Sequence, residues 1–224
     1  MKVLHVVGGK PSGGAYVGAH ILHKALLELK IDSKILNNNI SASFKQRDSS
    51  IVSINDKLLN KIKSNFFIFF EKVFKSILLP IPREAFTFGI IGFDITKLKE
   101  YNNADIIHIH WLNSGFINFK SISKIEKPVV WTMRDMWPFT GGAHYTMDFK
   151  KYENSIISKY IKNLKKKSFK RDIKFISISN WLKQKAEKSY VLKDFKIKNI
   201  YNNIDFQNFK LIEKENAKSK LKIN

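Results

Sequence analysis

No cysteine occurs among the 224 residues, which excludes structural disulfides and cysteine-based zinc sites. Proline (five) and glycine (ten) are scarce beside eighteen phenylalanines. That balance argues against disorder and for a chain able to bury a sizeable core. Nothing approaches the run of roughly 18 apolar residues that crossing a bilayer requires. The apolar stretch after Met1 is too short for a signal peptide. These absences lead us to expect a cytoplasmic protein, at most peripheral on the inner face of the cell membrane. Acids are also in short supply, 19 Asp and Glu against 40 Lys and Arg, for a formal charge of +21. A nucleic acid, an anionic membrane surface or a phosphorylated substrate would complement that charge. The abundance of Lys, Asn, Ile and Phe also fits AT-rich coding with no functional demand. About half of the cations follow Phe149. They are not interleaved with aromatics, and no recognition motif accompanies them, so nucleic acid is not the expected partner.

What is present alternates between strand-like and helix-like segments. Val3 to Val7 reads as a buried strand, followed by a glycine-rich run from Gly8 to Gly14. A helix from about Ala15 to Lys30 comes next, with Val17, Ile21, Leu22, Ala25, Leu26 and Leu29 at helical spacing, then a strand over Ser33–Leu36. Ser41 to Asp56 reads as a polar loop. Asp56 to Leu79 reads as a long helix ended by Pro80, and Phe86 to Ile95 as a hairpin or loop. Further strands are expected at Asp105–Trp111, Val129–Thr132, Lys174–Ser179 and Lys198–Tyr201. Helices are expected at Phe116–Ile125, Lys159–Lys170 and Trp181–Ser189, before a polar tail. The fold class this implies is α/β: a Rossmann-like open parallel sheet with helices on both faces. In such sheets ligands sit beyond the carboxyl ends of the strands. Gly13-Gly14, His108 to Trp111, Arg134 to Tyr145 and Ser179 to Trp181 all map to that edge.

The densest cluster runs from Trp131 to Tyr145. A core segment has no use for Arg134, Asp135, Pro138, Gly141, Gly142 and His144 so close together, whereas a strand end over a substrate does. Arg134 suits a phosphate or carboxylate, and Asp135 a sugar hydroxyl or a base; an internal ion pair between them is the structural alternative. Trp111, Trp137 and Tyr145 suit stacking on a sugar or packing in a core, and Gly141-Gly142 would let backbone approach a ligand. The Gly8–Gly14 loop, opening a helix, suits a phosphate or a simple tight turn; it is neither Gly-x-Gly-x-x-Gly nor a Walker loop. His108 and His110 share one face of a strand. No suitably placed acid or third histidine is evident, so no metal and no cofactor are expected. His110 is expected to hydrogen-bond a hydroxyl, and His108 to be a satisfied core residue. The Asp56–Leu79 helix carries Leu58, Leu59, Ile62, Phe66, Phe69, Phe70, Val73, Phe74 and Ile77 on one face, flanked by lysines. It reads either as an interfacial membrane helix or as a buried helix with snorkelling lysines.

In these motifs the chain resembles the N-terminal half of glycosyltransferase family 4, of the GT-B fold, and most of all its bacterial polysaccharide branch. Gly13-Gly14, His108-Ile-His110-Trp111, the block Trp131 to Tyr145, Ser179-Asn-Trp181-Leu182 and Asn202-Asn203-Ile204-Asp205 fall in the family's order. The resemblance implies a retaining enzyme that moves a sugar from a nucleotide-sugar donor to a saccharide or lipid-linked acceptor for surface polysaccharide. It implies catalytic roles at Arg134 and Asp135, and contact between Gly13, Gly14 and the donor diphosphate. It also implies an acceptor side built from His110, Trp111, Trp137, Thr140, Gly141, Gly142, His144 and Tyr145. Three positions depart from the family pattern. Arg134 stands for the usual histidine, which favours charge stabilisation over proton transfer. Ala143 stands for cysteine and Asn203 for glycine. Residues 1–200 would form the acceptor-side domain. Residues 201–224 would form the linker and the start of a nucleotide-sugar domain that does not follow, leaving little or no activity in this chain alone. The alternatives are a non-catalytic module binding a saccharide or membrane surface, or a subunit of a split glycosyltransferase.

Overall fold

Short runs of Val, Ile and Leu bounded by Gly, Asn and Asp form the strands, and they assemble into one sheet. The computed structural model describes residues 1–39, 48–78, 85–112, 115–145, 152–204 and 209–223. The first seven residues of the loop expected from Ser41, together with Pro80 and Asp205, lie outside them. The strands are β1 (Lys2–Val7), β2 (Asp32–Asn37), β3 (Ile51–Ser53), β4 (Ile106–Trp111), β5 (Val129–Met133), β6 (Lys174–Ser177) and β7 (Ile197–Asn199). All pairings are parallel, in the order β3-β2-β1-β4-β5-β6-β7. The chain therefore winds outward from β1 in one direction and from β4 in the other, so the strand order reverses between β1 and β4. The register of β1 against β4 slips between Val6 and Val7, an irregularity at this reversal point.

The helices are α1 (Gly14–Glu28), α2 (Leu58–Leu78), α3 (Lys99–Asn102), α4 (Phe119–Ile122), α5 (Ile156–Ser168), α6 (Asn180–Glu187) and α7 (Lys214–Leu221). Helix α1 covers the sheet face of Val7, Ile35 and Ile51. Its buried residues are Tyr16, Ala19 and His23, while Val17 and Leu29, assigned from periodicity to the apolar face, are exposed. Polar contacts override the aliphatic pattern: His23 turns inward because Ser33 Oγ lies 2.7 Å from its Nδ1 and Ser50 Oγ 2.9 Å from its Nε2. On the other face Leu4, Val6, Ile107, Ile109, Trp131 and Phe175 share one core with Phe119 of α4, Ile161 of α5 and Leu182 of α6.

One further difference from the sequence reading stands out, and two segments read in alternative ways are decided. Strand β3 lies inside the segment read as loop; with only three residues it is too short to show an alternation. The Phe86–Phe93 segment forms no hairpin; it makes isolated bridges, Phe86 to Ala143 and Phe93 to Ile117. Helix α2 is turned inside out. Its fully buried residues are Ser64 and Glu71, while Leu58, Leu59, Ile62, Phe66, Phe69 and Ile77 are exposed. Leaving such side chains outside forgoes roughly 1.5–3 kcal/mol each, so this apolar stripe does not hold the helix on the domain. Glu71 contributes instead: its carboxylate accepts from the backbone N–H groups of Phe88 and Gly89, both at 2.9 Å. Among the described residues no helix is long and apolar enough to cross a membrane.

Candidate functional site

The carboxyl ends of β1, β4 and β5, with the loops that follow them, enclose an open cleft of about 460 Å³ at the β1/β4 reversal point. The loop after β1 contributes Gly8, Gly9, Lys10 and Gly13, and α1 contributes its first residues, Gly14 to Tyr16. Trp111, Arg134 and Asp135 come from the ends of β4 and β5; His144, Tyr145, Ile178 and Asn202 complete the wall. Gly9 has φ +85°, and a Cβ there would sit 2.8 Å from the Trp111 ring, so the loop needs glycine at this position. Gly13 is the N-cap of α1 and supplies no side-chain hydrogen bond to the helix end. The uncapped backbone amides and the positive end of the helix dipole therefore face the cleft.

Arg134 is the cation of this site. Its Nη1 donates to the Asn202 side-chain oxygen, its Nη2 lies 3.2 Å from His110 Nδ1, and no ion pair forms with Asp135 or another acid among the described residues. Burial draws its pKa down to about 10, which leaves it charged at neutral pH. The guanidinium rests against Gly18 of α1, where a Cβ would fall 2.5 Å from Nη1.

A guanidinium can only donate, so His110 Nδ1 accepts and its ring proton sits on Nε2. That nitrogen is 2.9 Å from His5 Nδ1, which accepts in turn and leaves His5 with a buried Nε2–H that has no partner among the described residues. His108 Nε2 lies 2.8 Å from Thr132 Oγ1. Burial, reinforced by neighbouring histidines and Arg134, holds His5 and His110 well below the ordinary histidine range; burial and then Arg134 pull His108 down to about 3. His5, on β1, is the third histidine that the sequence did not place. The three offer ring nitrogens within 4.8 Å of one another. The adjoining guanidinium opposes a cation there, and the arrangement suits a neutral bed beneath Arg134. His110 is wholly buried in this bed and does not line the cleft.

Asp135 is already engaged. One carboxylate oxygen accepts from the Trp111 indole at 2.5 Å and contacts His144 Nδ1 at 2.5 Å; the other accepts from the Trp137 backbone N–H at 2.9 Å. His144 Nε2 continues to Thr87 Oγ1 at 3.0 Å. The internal Arg134–Asp135 pair, the structural alternative, does not form; the two side chains belong to separate networks.

Of the residues singled out in the sequence, the cleft gathers Gly13, Gly14, Trp111, Arg134, Asp135, His144 and Tyr145. Trp137, Thr140, Gly141 and Gly142 lie behind it. The Trp137 indole donates to the Thr87 carbonyl at 2.7 Å. Thr140 Oγ1 donates to the Ala143 carbonyl at 2.5 Å. A Cβ on Gly141 would fall 2.0 Å from Ser158 Oγ, and Gly142, at φ +129°, would collide with Phe86. Lys165, fully buried in α5, fixes this turn by donating to the carbonyls of Trp137 at 2.5 Å and Thr140 at 3.0 Å, its ammonium 3.8 Å from the Trp137 ring centre. Burial draws its pKa down to about 7. No signal distinguished Lys165 from the lysines around it in the sequence.

The family model described as "Glycosyltransferase Family 4" matches residues 12–208. Among solved structures, a glycosyltransferase from Rickettsia africae ESF-5 matches with 19% identity and a TM-score of 0.48, over 100% of this chain and 50% of that one. The chain thus spans about half the length of that protein. No curated protein matches.

Proposed function

The chain belongs to glycosyltransferase family 4, and from that premise we propose that it forms the acceptor-side half of a retaining glycosyltransferase that builds surface polysaccharide. The observation that carries this reading is Arg134: a charged guanidinium with no carboxylate partner among the described residues, resting against Gly18 one turn into α1 and sharing the cleft with that helix's uncapped start. A cation and a helix amino end converging on one cavity suit a diphosphate.

In this reading the bond between the donor sugar and its diphosphate breaks, and negative charge grows on the departing oxygen. Arg134 and the backbone at Gly13 and Gly14 steady that charge. The acceptor hydroxyl enters from the side of Trp111, His144 and Tyr145; its oxygen forms the new bond to the sugar and its proton passes to the departing diphosphate. Asp135 acts by holding Trp111 and His144 in place. The buried residues Trp137, Thr140, Gly141 and Gly142 support that wall from behind. The nucleoside is held by a second lobe beyond the 201–224 linker, and residues 1–200 alone transfer little or no sugar.

Calorimetry of the chain against inorganic pyrophosphate and a nucleoside diphosphate tests this. We expect both to bind weakly, with similar affinity, and both to be lost in Arg134→Ala. An Arg134→Ala chain that binds pyrophosphate as well as the parent would overturn the assignment, as would tight binding that depends on the base.

A further inference from the structure

Around the axis of α2, Leu58, Leu59, Ile62, Phe66, Phe69, Val73 and Ile77 fall within an arc of roughly 100°. Leu58, at 73% exposed, and Ile77, at 72%, stand at the two ends of this stripe. Glu71 and Ser64 lie on the opposite side of the helix and are buried. Lys57, Lys61 and Lys72 border one edge of the stripe and Lys63 the other, all exposed. The only acid between Leu58 and Leu78 is Glu71, which is buried against the backbone of Phe88 and Gly89. The outward surface of the helix is therefore apolar along its centre, and the charges at its margins are all cationic.

We propose that this face docks on the anionic surface of a membrane, with the phenylalanines and aliphatic side chains entering the interface and the lysines meeting lipid headgroups. Charge complementarity selects the occupant. Lysine stems long enough to reach back to the headgroups while the stripe is immersed are the arrangement an interfacial helix needs. A second copy of the chain would bring the same lysines against each other across a symmetric contact. The acceptor that the cleft serves is then lipid-linked, a clause that rests on the function proposed above.

Flotation of the whole chain with vesicles tests the docking without any sugar chemistry. Vesicles of phosphatidylcholine containing phosphatidylglycerol should carry the chain upward, pure phosphatidylcholine far less, and added salt should weaken recovery. Phe66→Ser with Phe69→Ser should lower partitioning roughly tenfold or more, with an unchanged circular dichroism spectrum because both rings are exposed. Lys61→Gln with Lys72→Gln should lower it only on the anionic vesicles. Three results would overturn the proposal: no recovery of the unaltered chain, equal recovery of the phenylalanine variant, or a dimer in solution that the phenylalanine variant abolishes. If vesicle binding fails while pyrophosphate binding persists, the loss falls on this inference alone.

Discussion

At the carboxyl ends of β1, β4 and β5 the buried groups are imidazoles, an indole and a carboxylate, nearly all tied to a neighbour. Along α2 the fully buried groups are a serine and a glutamate, and most of the large apolar side chains stand outside. Both regions break the rule that apolar side chains go in and polar ones out. They break it in different ways: the first buries polar atoms in order to aim one cation at a cleft, the second exposes apolar atoms in order to present a surface. Burial alone therefore does not tell support from function. What separates the two is where the unspent interaction points, towards an anion in one case and a lipid surface in the other.

The largest effect that would break the comparison lies in the imidazole bed. Its folded-state pKa values lie below the ordinary 6.5, with His108 at about 3. Each ring therefore supports the fold fully above pH 6.5 and progressively less below it, the loss at His108 running down to about pH 3. His108 alone should remove on the order of 4 kcal/mol over that range. Urea midpoints taken from pH 7.5 to pH 4 should drop steeply, and His108→Asn should flatten the slope; a flat parent profile would show that the bed is not held neutral. Next comes Arg134. With the second lobe supplied, Arg134→Ala should lower kcat by roughly a hundredfold to a thousandfold, with Arg134→Lys recovering part of it. Turnover unchanged in the alanine variant would remove Arg134 from the chemistry.

A smaller effect belongs to α2. Glu71→Ala strands two buried backbone donors and should cost about 2 kcal/mol, a Tm lower by roughly 4–8 °C for a domain of this size. The smallest is meant to be nearly nothing: Ile62→Ser should change stability in solution by less than about 0.5 kcal/mol, because the side chain is already exposed. A drop of several degrees in the melting curve of that variant would mean the stripe is covered in solution.

Much of the fold was legible from the sequence. The alternation of apolar runs with helical spacing yields a parallel sheet, and the strand ends carry the polar clusters that the cleft gathers. What the sequence hid has physical reasons. An amphipathic pattern shows that α2 has two faces but not which one the domain covers, since that is decided by the distant backbone of Phe88 and Gly89. Lys165 looks like any solvated lysine until the Trp137–Thr140 turn closes over it. His5 reads as one polar interruption in an apolar strand; only the pairing of β1 with β4 sets it beside His108. Within the Trp131–Tyr145 block, Arg134, Asp135, His144 and Tyr145 reach the cleft while Trp137, Thr140, Gly141 and Gly142 brace it from behind, a division set by the path of the turn.

Gly18 is a helix-interior glycine that an alanine would improve by roughly 0.5–1 kcal/mol. The room it leaves is where the guanidinium rests. Gly18→Ala would therefore make a sturdier helix with its key cation dislodged, so that thermal tolerance and performance move in opposite directions from the addition of a single methyl group.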